Sequence, residues 1–176
     1  MSTPSLEASA ISLALVLCAG TALAQGPNLG HPADPAEIAA WDISIQPDGT
    51  GLPAGSGTPA EGAKIYAAKC AQCHGQDGKG GAVSPTPLVG GGPITDISAS
   101  IKTISNFWPY STTVFDYIRR AMPYQQSKSL TNDQIYAVSA YILHLNGIIG
   151  ADDAVDAQSL PKVKMPNRDG FIPFPR

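Results

Sequence analysis

The clearest alternation of apolar and polar positions lies between Thr131 and Gly147, near the carboxyl end of the chain. Apolar residues recur there at the spacing of one helical face: Ile135, Val138, Ile142 and Leu145. Thr131 and Gln134 have the spacing of a capping box, and Gly147 is a typical residue just past a helix end. The pattern therefore predicts a helix that begins after Thr131 and closes at Gly147.

Capping residues predict further helices. The run Thr58-Pro59-Ala60-Glu61 supplies an N-cap, a proline at the first helical position and the glutamate of a capping box, so a helix is expected from Thr58 to about Cys70. Thr113 to Asp116 forms a third box, and that helix is expected to end at Arg119-Arg120. Shorter helices are predicted at Pro35 to Trp41, capped by Asp34, and between Ile94 and Tyr110.

The helix that begins at Thr58 carries a face of small residues around Gly62 and Tyr66. Small side chains let a second helix approach the backbone closely. Tyr141 lies near the apolar face of the last helix and is expected to meet this surface. The pattern thus predicts that the first and last long helices cross.

The first residues have the features of an export signal. Residues 11–24 are apolar and end in Ala22-Leu23-Ala24, a typical cleavage pattern, so residues 1–24 are predicted to be a signal peptide cleaved near Ala24. The run is shorter than the roughly 20 residues that a bilayer span needs, so no membrane span is expected in the mature chain. A lipid anchor at Cys18 is the minor alternative, because bulky Leu17 precedes it.

Composition indicates one domain with irregular extensions. The chain has 176 residues and a formal net charge of −3, and its 18 glycines and 16 prolines indicate long loops. We expect an N-terminal arm over residues 25–57, a helical domain over 58–147 and a C-terminal tail over 148–176. The mildly acidic balance argues against nucleic acid as a partner.

The chemistry is indicated by Cys70-Ala71-Gln72-Cys73-His74. A Cys-x-x-Cys-His run is the attachment signature of a c-type haem, in which two thiols bind the porphyrin and the histidine binds the iron. A zinc site needs a second cysteine pair, and the only other cysteine is Cys18. The motif therefore predicts one covalently bound haem c, held by Cys70, Cys73 and His74.

The second iron ligand is predicted to be Met122. It follows a helix, precedes Pro123, and lies far enough from His74 for the chain to pass around a haem. Met165, also followed by a proline, is the rival. Two axial protein ligands favour an electron carrier, whereas a haem enzyme such as a peroxidase needs an open position and an acid or base group above it.

The haem motif, the glycine-rich loop, Met122-Pro123 and the last capped helix together resemble a class I cytochrome c over residues 58–147. The resemblance implies an all-α fold of three to five helices around one haem. It also implies that a proline of the glycine-rich loop, Pro85 or Pro87, packs against the axial histidine and that a nearby carbonyl fixes its ring nitrogen.

Four further stretches extend the resemblance to the cytochrome subunits of bacterial molybdenum sulfite dehydrogenases and of the related sulfane dehydrogenase. They are residues 106–110, 116–123, 141–147 and 164–171. This resemblance implies a periplasmic protein that accepts electrons from a molybdopterin subunit and passes them to a downstream cytochrome c or oxidase. A general electron shuttle with another donor is the alternative. The two extensions are expected either to dock the molybdenum subunit or to wrap their own domain.

Overall fold

The computed structural model describes residues 29–172, and the chain divides after Trp41 into two compact units. The first unit contains helix α1, Pro35–Trp41. Asp34 caps it, because its Oδ1 accepts a hydrogen bond of 2.8 Å from the N–H of Glu37. The predicted short helix is thereby confirmed. The predicted signal peptide lies outside the described residues.

The second unit, residues 42–176, is mainly helical. Its elements are α2 (Pro59–Lys69), α3 (Ala71–His74), α4 (Ser111–Ala121), α5 (Asn132–Leu145), a 3₁₀ turn (Leu160–Lys162) and two short strands, β1 (Ser56–Gly57) and β2 (Val155–Asp156). These two strands pair antiparallel and form the only sheet within residues 29–172. The predicted all-α class is confirmed.

Two of the three predicted capping boxes are present, those at the starts of α2 and α5. At α2 the Thr58 N–H donates to Glu61 Oε2 at 2.9 Å, and the Glu61 N–H donates to Thr58 Oγ1 at 3.3 Å. Thr131 and Gln134 make the same reciprocal pair at α5. These bonds satisfy amide groups that would otherwise lack partners in the first turn, so each helix starts where its sequence predicts.

The predicted start of α4 is wrong. The helix begins at Ser111, two residues before Thr113, and Asp116 forms an ion pair of 2.8 Å with Arg120 instead of a capping box. Ser111 is buried and its Oγ donates to the carbonyl oxygen of Leu160 at 2.6 Å. This contact with a distant part of the chain fixes the start of the helix, and it overrides the local capping signal.

The short helix predicted between Ile94 and Tyr110 is not formed, because side chains there bond to nearby backbone. Asp96 Oδ1 accepts from the N–H of Ser98 at 2.7 Å, and Asn106 Nδ2 donates to the carbonyl oxygens of Gly92 and Ile101. Such local bonds compete with helical ones and favour turns.

Helices α2 and α5 cross with their backbones in close contact at Gly62. A Cβ atom on Gly62 would collide with the carbonyl oxygen of Ala137 and would lie 2.7 Å from the Cβ of Tyr141. Next to this point the rings of Tyr66 and Tyr141 pack with centroids 5.2 Å apart. The predicted crossing of the first and last long helices is confirmed, with Tyr141 in the expected place.

The C-terminal tail contributes to the core of the second unit. Val155, Leu160 and Met165 are 2%, 0% and 1% exposed and belong to the same apolar cluster as the helices. Strand β2 pairs with β1, with Gly57 opposite Val155, and this ladder joins the tail to the segment that precedes α2. Of the two alternatives for the extensions, docking a partner or wrapping their own domain, residues 155–165 of the tail therefore follow the second.

Replacing Gly62 with alanine tests the helix crossing. The new methyl group must displace the Ala137 backbone, so we expect Gly62→Ala to destabilise the protein by about 1–3 kcal/mol. Gly92→Ala is the control, because nothing lies within 4 Å of its added Cβ. Denaturant unfolding of the holoprotein measures both, and equal midpoints for the two variants would contradict a tight crossing.

Truncation after Gly150 tests the tail. It removes three buried side chains, and truncating one such side chain to alanine typically costs about 2–5 kcal/mol, so we expect a large fall in melting temperature. Truncation after Gly170 is the control, since it keeps Val155, Leu160 and Met165 in place. An unchanged melting temperature after the longer truncation would show that the tail is not part of the core.

Candidate haem-binding site

A mostly apolar cavity of about 570 Å³ opens beside α2, α3, α4 and α5. Sites for small molecules and cofactors are typically about 300–1,000 Å³ in volume and have mainly apolar walls. All four residues predicted from the sequence to hold a haem line this one cavity: Cys70, Cys73, His74 and Met122. Residues that are distant in sequence are thus brought together in a space of suitable size.

One helical turn presents the two cysteines and the histidine. The carbonyl oxygen of Cys70 accepts hydrogen bonds from the N–H groups of Cys73 at 3.1 Å and His74 at 3.0 Å. Positions i, i+3 and i+4 share a helix face, so the three side chains point the same way. Neither cysteine forms a disulfide within the described residues, and burial raises the pKa of the Cys70 thiol to about 11.

The His74 side chain is partly buried, and burial lowers its pKa. The neutral ring that this favours is the form that binds a metal ion. Its Nδ1 is buried without a hydrogen-bond partner among the residues that the structure describes, so the expected bond to a loop carbonyl is not present. Leu88 follows Pro87 in that loop, and its carbonyl oxygen accepts hydrogen bonds from the Ile104 N–H and from Asn146 Nδ2 rather than from His74. Pro87 lines the cavity with His74, whereas Pro85 does not.

Met122 lies directly after α4, where the chain leaves the helix. Its backbone is extended, its N–H still donates to the carbonyl oxygen of Ile118 at 3.1 Å, and its peptide bond to Pro123 is cis. The proline cannot continue a helical hydrogen-bond pattern. The rival Met165 is 1% exposed, packs in the apolar core and does not line the cavity.

The polar groups at the cavity suit a cofactor that carries acids. Lys69 and Lys102 are among its lining residues, and no Asp or Glu of the described chain lines it. Trp108 and Tyr117 also line it and meet edge to face, with ring centroids 5.6 Å apart. An apolar space with two cations and two thiols fits haem c, which is a flat apolar ring bearing two propionates.

Sequence reasoning missed several residues of the site. The lysines carry no recognisable local motif, and Thr103, Leu130 and Val138 reach the cavity wall only through the fold. Tyr66 was expected at the helix crossing, yet it also lines the cavity. Its hydroxyl donates a hydrogen bond of 3.0 Å to the carbonyl oxygen of Gly75, and no sequence pattern predicts this bond.

Residues 29–172 contain no group of three or more His, Cys, Asp or Glu side chains that could hold a metal ion. Over the same range, every helix is too short or too polar to cross a membrane.

Known proteins match the chain at the level of family and of structure. Residues 59–146 match the family model described as Cytochrome c. The fold is similar to the solved structure of the sulfane dehydrogenase SoxCD from Paracoccus pantotrophus, with a TM-score of 0.76 and 38% sequence identity. That similarity covers 85% of this chain and 73% of the SoxCD chain. No curated protein matches the chain.

Proposed function

The chain belongs to the cytochrome c family, and we propose that it accepts electrons from a molybdenum dehydrogenase that oxidises sulfite or a related sulfur compound. Its family establishes the class I cytochrome c fold, a covalently bound haem c and a role in electron transfer. The observation that carries the finer proposal is the extent of the similarity to SoxCD. The family match spans half of the chain, whereas the SoxCD match spans 85% and so includes much of the two extensions.

We infer that four side chains hold the cofactor. In the loaded protein, Cys70 and Cys73 would hold the porphyrin through thioether bonds, and His74 and Met122 would bind its iron. The bound iron then supplies a centre that gains and loses one electron. The helical turn fixes the two cysteines, burial lowers the pKa of His74 and so favours its neutral ring, and the extended residue after α4 directs Met122 into the same cavity.

The lining of the cavity favours a carrier over a haem enzyme. A peroxidase needs a displaceable ligand and an acid or base group near the iron. Within the described part of the chain, His74 is the one histidine that lines the cavity, and no carboxylate lines it. With His74 and Met122 as ligands, no histidine or carboxylate of the described residues remains at the cavity to act as the acid or base near the iron.

An exposed apolar rim supports direct contact with a redox partner. Val83, Tyr117 and Tyr124 line the cavity and are 67%, 50% and 81% exposed. Apolar and aromatic side chains are typical of the core of a protein interface. We infer that the electron donor contacts this rim, where the distance to the cofactor is shortest.

Part of the extensions packs on the chain's own core, and part remains exposed and available to dock a partner. In the tail, the apolar side chains up to Met165 are used in the chain's own core, whereas Phe171 and Ile172 are 50% and 93% exposed. Docking by the tail would therefore use its last residues. In the N-terminal arm, Ile38 of α1 is 52% exposed and offers apolar contact area.

The proposed location and acceptor follow from the same similarity. Removal of residues 1–24 during export would place the mature chain in the periplasm, where c-type haem is attached in bacteria. A downstream cytochrome c or oxidase would then take the electrons. A general shuttle with another donor has the same haem site and differs from this proposal in the partner it needs.

Replacing Met122 with alanine tests the proposed sixth ligand. We expect Met122→Ala to retain covalent haem but to lose the methionine-to-iron absorption band of the oxidised protein, with a lower reduction potential, because thioether ligation favours ferrous iron. Met165→Ala is the matched control, since it opens a cavity in the core and should lower stability without changing that band. Loss of the band in the Met165 variant would show that the ligand is assigned to the wrong methionine.

Isolation from the native periplasm tests the proposed donor. We expect the oxidised cytochrome to co-purify with a molybdenum subunit and its haem to be reduced when sulfite is added to the pair, as followed by absorption. Sulfite without that subunit should leave the haem oxidised. Isolation of a cytochrome that has no such partner, or that stays oxidised with it, would favour the general shuttle.

A further inference from the structure

Tyr66 connects the crossing of α2 and α5 to the turn that carries Cys70, Cys73 and His74, here called the haem-binding turn. It is 1% exposed, it lies in α2, and its ring lines the cavity. Its hydroxyl donates a hydrogen bond of 3.0 Å to the carbonyl oxygen of Gly75, the residue directly after His74. Burial raises the pKa of Tyr66 to about 12, so the hydroxyl remains a donor at any physiological pH.

The turn that receives this bond is tightly determined. Gly75 has a φ of 77°, which favours glycine, and a Cβ there would lie 2.5 Å from the carbonyl oxygen of Gly80. The Gly75 N–H donates to the Ala71 carbonyl oxygen at 2.9 Å, and the Gly80 N–H donates to the His74 carbonyl oxygen at 3.0 Å. Tyr66 adds the bond to the Gly75 carbonyl, so three consecutive polar groups of the backbone directly after the His74 Cα are held.

The His74 ring itself lacks comparable support. Its Nδ1 is buried and makes no hydrogen bond within residues 29–172. A histidine that binds a metal is usually oriented by a hydrogen bond to its second ring nitrogen. Here the backbone of the turn must carry more of that orientation, and Tyr66 is the side chain that reaches this backbone from another helix.

We propose that Tyr66 is a positioning residue for His74, because its hydroxyl fixes the Gly75 peptide and through it the direction in which the imidazole enters the cavity. The inference rests on the proposed role of His74 as a haem ligand. The position of Tyr66 is in turn fixed by its contact with Tyr141, whose ring centroid lies 5.2 Å away. Packing between α2 and α5 is thereby transmitted to the iron ligand.

The test compares two variants of the holoprotein that each remove one hydroxyl from this aromatic pair. Tyr66→Phe keeps the buried ring and deletes the bond to Gly75, whereas Tyr141→Phe leaves that bond in place. Proton nuclear magnetic resonance of the oxidised protein reports the hyperfine-shifted signals of an iron-bound imidazole. Hydrogen exchange reports the opening of the Gly75 amide, and absorption reports the methionine ligand.

We expect Tyr66→Phe to move the imidazole signals and to speed exchange of the Gly75 amide by about fivefold, the factor that corresponds to the net stabilisation by a typical hydrogen bond. Tyr141→Phe should leave the imidazole signals in place, and both variants should keep the methionine band. The inference is overturned if Tyr66→Phe leaves the imidazole signals and the Gly75 exchange rate unchanged, or if Tyr141→Phe moves the signals equally. Absence of imidazole signals in the unmodified protein would instead overturn the ligand role of His74, and this inference with it.

Discussion

The close contact between α2 and α5 at Gly62 is the constraint on which the rest of the structure depends. The Ala137 carbonyl oxygen occupies the space of a Gly62 side chain, so the two helices cross with their backbones touching. That approach lets Tyr66 and Tyr141 pack, and it places the end of α2, with Cys70, beside the wall that α5 contributes to the cavity. A wider crossing would separate the turn that carries Cys70, Cys73 and His74 from that wall.

The tail compensates for a small helical core. Long loops rich in glycine and proline bury little apolar surface, and a small domain has few core residues to spare. Leu160 and Met165 enlarge the apolar cluster, and the bond from Ser111 to the Leu160 carbonyl fixes the start of α4. Because α4 leads directly to Met122, the tail helps to set the direction from which the second proposed ligand enters the cavity.

Local signals predicted most of the fold, and distant contacts account for what they missed. The capping boxes at Thr58 and Thr131 act within one helical turn, so the sequence placed both helix starts correctly. The start of α4 depends on a contact between Ser111 and the tail, which no local pattern contains. The Cys-x-x-Cys-His motif likewise lies within one helical turn, so the relative positions of its three side chains follow from local sequence. Met122 and Met165 share a following proline, and the structure distinguishes them by placing one at the cavity and the other in the core.

The charge of the site differs from that of the whole chain. The protein has a formal net charge of −3, yet the charged side chains that line the cavity, in the region the structure describes, are Lys69 and Lys102. Cations beside the propionates of a haem lower the cost of burying those acids. The lysines and the exposed rim of Val83 and Tyr124 border the same opening, so a single surface can hold the acids of the cofactor and meet an apolar redox partner. Among the described residues no carboxylate lines this opening, so the acidic balance of the whole chain does not extend to the cavity that we propose holds the cofactor.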